Sequence, residues 1–521
     1  MNRWASFINS ENIKVRFLST LLVNISKIGL SVLSGIIIAR GLEPTGFGDF
    51  NFLLVSFSSV ISLVDMGTSS AYYTFISQRR RSGSFYFYYI LWLAIQFFSI
   101  SMLILLIFPE SLLNRIWLGH TKGVIILAFF ASFMMNKIWP TVTEAGESIR
   151  ATVIVQLHNI ILSCLYLGAI LVMVSLHSLS LWNLFTAVMV VHLLLTLILS
   201  KRIKPTLINS EKSKQERLPS IVGEFKTYCA PLIVFGVLSF AYSWADVWFL
   251  QKFGGAVQQG FYSVGLRFSA ICLIATTSML KVFWKETAEA YERGNSDRLY
   301  YLYTRISHSL CFVAAIGACF LIPFSKEIIV LLLGPKYEAG WLCLGIMFLY
   351  PIYQSLGQIN GSYLYATGQT KLYSRIGVTM MVVSIPVTYL VLASPSNRIP
   401  GLGLGSVGLA VKVVMLNMIS VNILGFFVSR LSKWKFKYLY QFESIALLLF
   451  GSLLSKGLLN WIGGVLEISF SSVLLILSCV PIYIVYVVFI VFLFPGISGL
   501  ERKEIVGLTQ RINGYFARVR P

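Results

Sequence analysis

Apolar stretches of roughly 17 to 27 residues, each enough for a helix to cross a ~30 Å hydrocarbon layer, recur fourteen times along this chain. They lie at 16–39, 47–71, 85–108, 123–140, 152–174, 180–200, 228–250, 261–283, 306–324, 340–364, 374–393, 402–428, 441–461 and 470–494. The polar connections between them alternate in charge. Every second connection, taken with both termini, holds more than two thirds of the 42 Lys and Arg residues, and the opposite set holds about a sixth. Cationic loops stay in the cytoplasm, so both termini are expected there and the helix number is even. The pattern predicts an all-α polytopic protein of about 14 transmembrane helices in the cell inner (plasma) membrane.

Composition agrees with the pattern. At 56% apolar residues and a mean hydropathy of +0.77, a soluble fold of 521 residues would expose an insoluble surface. The net charge of +21 and the tail residues Arg511, Arg518 and Arg520 invite a nucleic-acid reading. The cations map instead onto loops that face anionic lipid, and no basic stripe with stacking aromatics lies outside the apolar runs, so no nucleic-acid partner is expected. The seven cysteines, Cys164, Cys229, Cys272, Cys311, Cys319, Cys343 and Cys479, have no CxxC spacing and read as small buried hydrophobes. Arg3, Lys14 and Arg16 precede the long first run without a small-residue cleavage pattern, so that run is expected to remain as a helix. Trp4, Phe7 and Ile8 before it suit a segment lying flat at the interface.

The longest internal connection, Lys201 to Lys226, carries seven basic and three acidic residues and divides the first twelve runs into six and six. A weak internal repeat supports the division. Ala39-Arg-Gly-Leu-Glu-Pro-Thr-Gly-Phe-Gly-Asp-Phe50 after run one is echoed by Gln251-Lys-Phe-Gly-Gly-Ala-Val-Gln-Gln-Gly-Phe-Tyr262 after run seven. In both, a cation ends a helix and a glycine, Gly48 or Gly260, opens the next beside an aromatic. Glu144-Ala-Gly-Glu-Ser-Ile-Arg150 after run four pairs likewise with Ala366-Thr-Gly-Gln-Thr-Lys-Leu372 after run ten. The expected organisation is an N-lobe at 1–200 (helices 1–6), a basic cytoplasmic linker at 201–227 and a C-lobe at 228–429 (helices 7–12). Two appended helices at 430–494 and a basic cytoplasmic tail at 495–521 complete it.

Enzyme signatures are missing or explicable. Gly401-Leu-Gly-Leu-Gly-Ser-Val-Gly408 contains GxGxxG, yet it opens an apolar helix with no strand before it, which points to close helix packing. There is no GxxxxGK[ST] phosphate loop. The five histidines form no ligand-spaced pair, and a lone His158 suits a satisfied helix interface. No catalytic residue, metal site or cofactor is expected; coupling to a proton or sodium gradient stays open.

Polar groups inside the runs carry the functional information. Thr20, Asn24, Lys27, Ser31 and Ser34 share one face of helix one. Lys27 is near mid-membrane, where a charge costs ~2.5–3.5 kcal/mol, so the face must meet water or a partner. It either lines a substrate cavity or neutralises Asp65 of helix two. Lys412 of helix twelve is the other deep cation, suited to an anionic ligand or to an interhelical hydrogen bond. Gln156, Asn159, Ser163 and Tyr166 on helix five, and Tyr350, Gln354, Gln358 and Gly361 on helix ten, form stripes that suit sugars or helix contacts equally. Asp246 and Arg267, near the outer ends of helices seven and eight, form either a gate latch or a static ion pair. Lys137, Lys281 and Lys456 lie near run ends and are expected to snorkel.

Several segments in order resemble a known family. They are Ala39-Arg-Gly-Leu-Glu-Pro-Thr-Gly-Phe-Gly48, Leu63-Val-Asp-Met-Gly-Thr-Ser-Ser-Ala71, Leu333-Gly-Pro-Lys-Tyr337, Tyr365-Ala-Thr-Gly-Gln-Thr-Lys371 and Gly405-Ser-Val-Gly-Leu-Ala410. Together the chain resembles the oligosaccharide (O-antigen type) flippases of the multidrug/oligosaccharidyl-lipid/polysaccharide exporter superfamily. The resemblance implies two lobes about a central cavity, and movement of undecaprenyl-diphosphate-linked oligosaccharide from the cytoplasmic to the outer leaflet. It implies membrane lipids, a polysaccharide polymerase and a chain-length regulator as partners. Two alternatives stand beside it: an ion-coupled multidrug exporter on the same architecture, and a membrane-embedded polysaccharide polymerase.

Overall fold

The computed structural model describes residues 13–208, 216–466, 471–500 and 502–504, and among these the secondary structure is helical throughout, with no strand. A chain surrounded by lipid must satisfy its backbone N–H and C=O groups within each segment, which the helix does. The segment of Trp4, Phe7 and Ile8, residues 209–215 of the linker and the tail arginines Arg511, Arg518 and Arg520 lie outside the described residues, as do the side chains of Thr20, Cys272 and Lys281.

In chain order the first helices are α1 (Ile13–Asp65), α2 (Thr68–Gln78), α3 (Gly83–Met102), α4 (Glu110–Ile116), α5 (Lys122–Phe133), α6 (Trp139–Ser148), α7 (Thr152–Ser175) and α8 (Leu181–Ile208). Then follow α9 (Leu218–Cys229), α10 (Ile233–Cys272), α11 (Ile274–Glu292), α12 (Ser296–Leu321), α13 (Ser325–Leu333), α14 (Trp341–Met347) and α15 (Tyr350–Ala366). The last are α16 (Thr370–Leu392), α17 (Gly405–Leu431), α18 (Leu439–Val465) and α19 (Ser472–Leu493). Among the described residues, twelve spans are long and apolar enough to cross a membrane. Two are too long for one crossing, Leu22–Asp65 with 44 residues and Leu218–Ile271 with 54. Each contains one residue with left-handed backbone, Glu43 (φ 60°) and Gly255 (φ 75°), where the helix turns. Runs one and two share the first of these spans, and run seven with the start of run eight the second.

The chain forms two compact units, 1–260 and 261–521. In the first, α1 packs on α5 and α7, and α8 covers α5, α6 and α7. Run seven, placed at the head of the C-lobe by the sequence, is held in this unit at its far end. Gln251 Nε2 donates to Asp49 Oδ1 at 2.7 Å, and Trp248 Nε1 donates to the Ile116 carbonyl at 3.0 Å. The two repeat turns also meet: a Cβ on Gly48 would strike the Ala256 carbonyl, and one on Gly260 the Pro44 carbonyl. Two backbones approach so closely only where side chains are absent.

In the second unit, α17 packs on α15 and α16, while α12 packs on α11, α15 and α18. The last pair, α18 and α19, is tied to α12 by the Tyr483 hydroxyl donating to the Ile316 carbonyl (3.1 Å) and Ser452 Oγ to the Phe320 carbonyl (3.0 Å). Gly408 of the GxGxxG segment faces Val391 of α16, with its would-be Cβ 2.5 Å from Val391 Cγ1, so this glycine serves helix contact.

The connection before α3 and the one before α9 meet through Arg81, which holds Glu216 at 3.0 Å and Glu224 at 2.7 Å. Asp49, Ile116 and Gln251, from the other set, meet elsewhere. In the second unit, Arg305 pairs with Glu504 (2.7 Å), and Trp284 stacks on Tyr365.

Candidate functional site

A charged network occupies the first unit where α1, α2, α5, α6 and α7 converge. Met66 (φ 50°) and Gly67 (φ 84°) break the chain between α1 and α2. That break leaves the Asp65 carboxylate over the start of α2. Its Oδ1 accepts from Thr68 Oγ1 (2.7 Å), Ser69 N (3.1 Å) and Ser69 Oγ (3.0 Å). The carboxylate thereby caps donors that α2 leaves open.

The cation facing Asp65 is Lys137, not Lys27. Lys137 Nζ lies 2.5 Å from Asp65 Oδ1 and 2.9 Å from Ser69 Oγ, with the Lys137 side chain 5% exposed. This corrects the expectation that Lys137 snorkels to a surface. The cause is local: α5 continues through a π-helical turn, Met134–Ile138, and the wider turn changes which side chains face inward. Spacing rules based on 3.6 residues per turn do not see it. Lys456 Nζ lies 2.5 Å from Glu327 Oε1 and 2.6 Å from the Pro323 carbonyl, with its side chain 21% exposed.

The helix that holds run four continues past it to Ser148 and carries Glu144 and Glu147. Glu144 acts electrostatically on Lys137, and Glu147 on Lys27. Gln156 Nε2 donates to Glu147 Oε1 at 3.4 Å. The network therefore contains Lys27 and Lys137 with Asp65, Glu144 and Glu147.

The remaining candidates divide between the two units. On α1, Asn24 and Ser31 are exposed, Lys27 half-buried and Ser34 buried. Asn159 Oδ1 accepts from Trp139 Nε1 at 3.2 Å, which joins α7 to α6. Asp246 is buried in the first unit, and Arg267 is half-buried in the second. Also in the second unit, Lys412 is 3% exposed on α17, and Gln354 and Gln358 are half-buried on α15. The sequence reading missed Asn360, which accepts from Tyr303 (2.7 Å) and donates to the Val421 carbonyl (3.0 Å). His158 is 2% exposed with Nδ1 2.8 Å from the Ile154 carbonyl, a satisfied interface histidine as expected. Among the described residues no group of His, Cys, Asp or Glu could hold a metal ion.

Neither a family model nor a curated protein matches this chain. Solved structures do. The lipid II flippase MurJ, in an inward closed conformation, matches with a TM-score of 0.63 and 14% identity, over 92% of this chain and 98% of its own. A multidrug resistance MATE family transporter in an inward-facing conformation matches with a TM-score of 0.60 and 13% identity, over 79% of this chain and 99% of its own. A MOP superfamily transporter from Pyrococcus furiosus matches with a TM-score of 0.54 and 12% identity, over 82% of this chain and 97% of its own. The chain has the all-helical membrane fold of MOP superfamily transporters.

Proposed function

We propose that the protein flips undecaprenyl-diphosphate-linked oligosaccharide units across the inner membrane for O-antigen, capsule or exopolysaccharide assembly. The observation that carries this reading is the extent of the shared fold. The lipid II flippase aligns over 92% of the chain, whereas the MATE transporter uses nearly all of its own length to cover 79%. Residues beyond a MATE-sized body are thus part of a flippase-sized one. In this reading two six-helix lobes alternate access to a cavity that includes Lys27, Asn24, Ser31, Gln156 and Asn159 from one lobe and Lys412, Gln354 and Gln358 from the other. Lys27 and Lys412 attract the diphosphate as mobile point charges, and the amides bond the sugar. Asp246 and Arg267 latch the outer gate. No cofactor takes part; a proton or sodium gradient supplies the energy, and the polymerase and chain-length regulator receive the product.

The test is translocation of a fluorescent undecaprenyl-diphosphate oligosaccharide in proteoliposomes, followed by outer-leaflet quenching. Protein-dependent exposure of the label is expected. A second reading, ion-coupled drug export, is favoured by Asp65, Glu144 and Glu147, since such carboxylates suit cation exchange. Gradient-dependent extrusion of a cationic dye, with the lipid left on its original side, would put that reading in place of the first.

A further inference from the structure

A groove of about 700 Å³ opens on the first unit between α3, the α5–α6 span and α8. That volume lies within the ~300–1,000 Å³ usual for small-molecule sites. Phe97, Phe133 and Met134 line one end, and Tyr86, Lys201 and Lys204 the other. The π-helical turn that delivers Lys137 to Asp65 also gives Met134 and Ile138 to the groove wall. Tyr86 and Phe97 are separated by about 16 Å of helix at 1.5 Å per residue, roughly one leaflet of a ~30 Å core. The wall between the two ends is mostly apolar.

Tyr89, Thr141, Thr196 and Ser200 bring hydroxyls to this wall. Lys201 and Lys204 are exposed at one end of it, which sets two cations beside an otherwise apolar trough. We propose that the groove is a binding site for an anionic glycerophospholipid of one leaflet. Its acyl chain lies along Phe97 and Phe133, and its phosphate headgroup sits between Lys201 and Lys204. A polyprenyl diphosphate fits less well, because its chain overruns a groove one leaflet long. This site is independent of the transport reading.

Native mass spectrometry of the full-length protein from nanodiscs of mixed phosphatidylglycerol and phosphatidylcholine tests it. The wild type should retain phosphatidylglycerol preferentially. Lys201→Gln with Lys204→Gln should cut that preference by roughly tenfold, the effect expected of two surface cations. Lys201→Arg with Lys204→Arg should keep it, which guards against a folding defect. Arg202→Gln, one position off the groove face, should leave it unchanged. Equal loss in Arg202→Gln, no loss in the glutamine pair, or displacement by equimolar undecaprenyl diphosphate would each overturn the proposal.

Discussion

Lys137 and Asp65 form a largely buried ion pair in the first unit. A buried ion pair contributes little over an apolar substitute, but removing one partner strands the other, at about 3–5 kcal/mol. Lys137→Ala should therefore sharply lower the melting temperature of the purified protein, and Lys137→Met with Asp65→Asn should recover most of it. A single mutant as stable as wild type would show the pair to be dispensable. Lys27 belongs to a different regime, half-buried beside Glu147. Lys27→Ala should keep normal membrane levels and melting temperature while abolishing surface polysaccharide, and Lys27→Arg should retain part of it. If Lys27→Ala with Glu147→Ala restores transport fully, Lys27 serves only to neutralise that carboxylate.

At the scale of elements, the turn-to-turn contact of Pro44–Gly48 with Ala256–Gly260 is the tightest feature. A methyl group at Gly48 would meet backbone, which cannot rotate away, so Gly48→Ala should destabilise by at least the ~1–3 kcal/mol of core overpacking. Gly168 on α7 has nothing within 4 Å of its would-be Cβ, so Gly168→Ala should be neutral or gain about 0.5–1 kcal/mol from helix propensity. Thermal unfolding of the two variants distinguishes a packing glycine from an incidental one. The repeat segments were visible in the sequence as similar strings. That they touch each other was not, because the reason for Gly48 lies some two hundred residues away.

For the whole molecule, the side of the membrane on which each connection lies is open to direct measurement. In a background with Cys164→Ser, Lys252→Cys should react with a membrane-impermeant maleimide in intact cells, and Lys285→Cys only after permeabilisation. The reverse result would invert the charge-based topology.

The sequence by itself determined the features that solvent and chain length dictate. Lipid demands helices, the length of each apolar run sets a crossing, and loop charge sets an expected orientation. These are local quantities, summed over windows, and they were legible down to the turns at Glu43 and Gly255. The partner of a buried charge is not local. Asp65 was read against Lys27 because both were deep; the structure gives it Lys137, since a π-helical turn alters the facing of α5 and no window of hydrophobicity registers that change. Glu144 and Glu147 fall after the apolar run that ends near residue 140, but α6 continues to Ser148 and carries both towards Lys137 and Lys27. Tertiary structure decided the sign of the network, because buried charge is fixed by which polar groups converge and not by how many each segment carries.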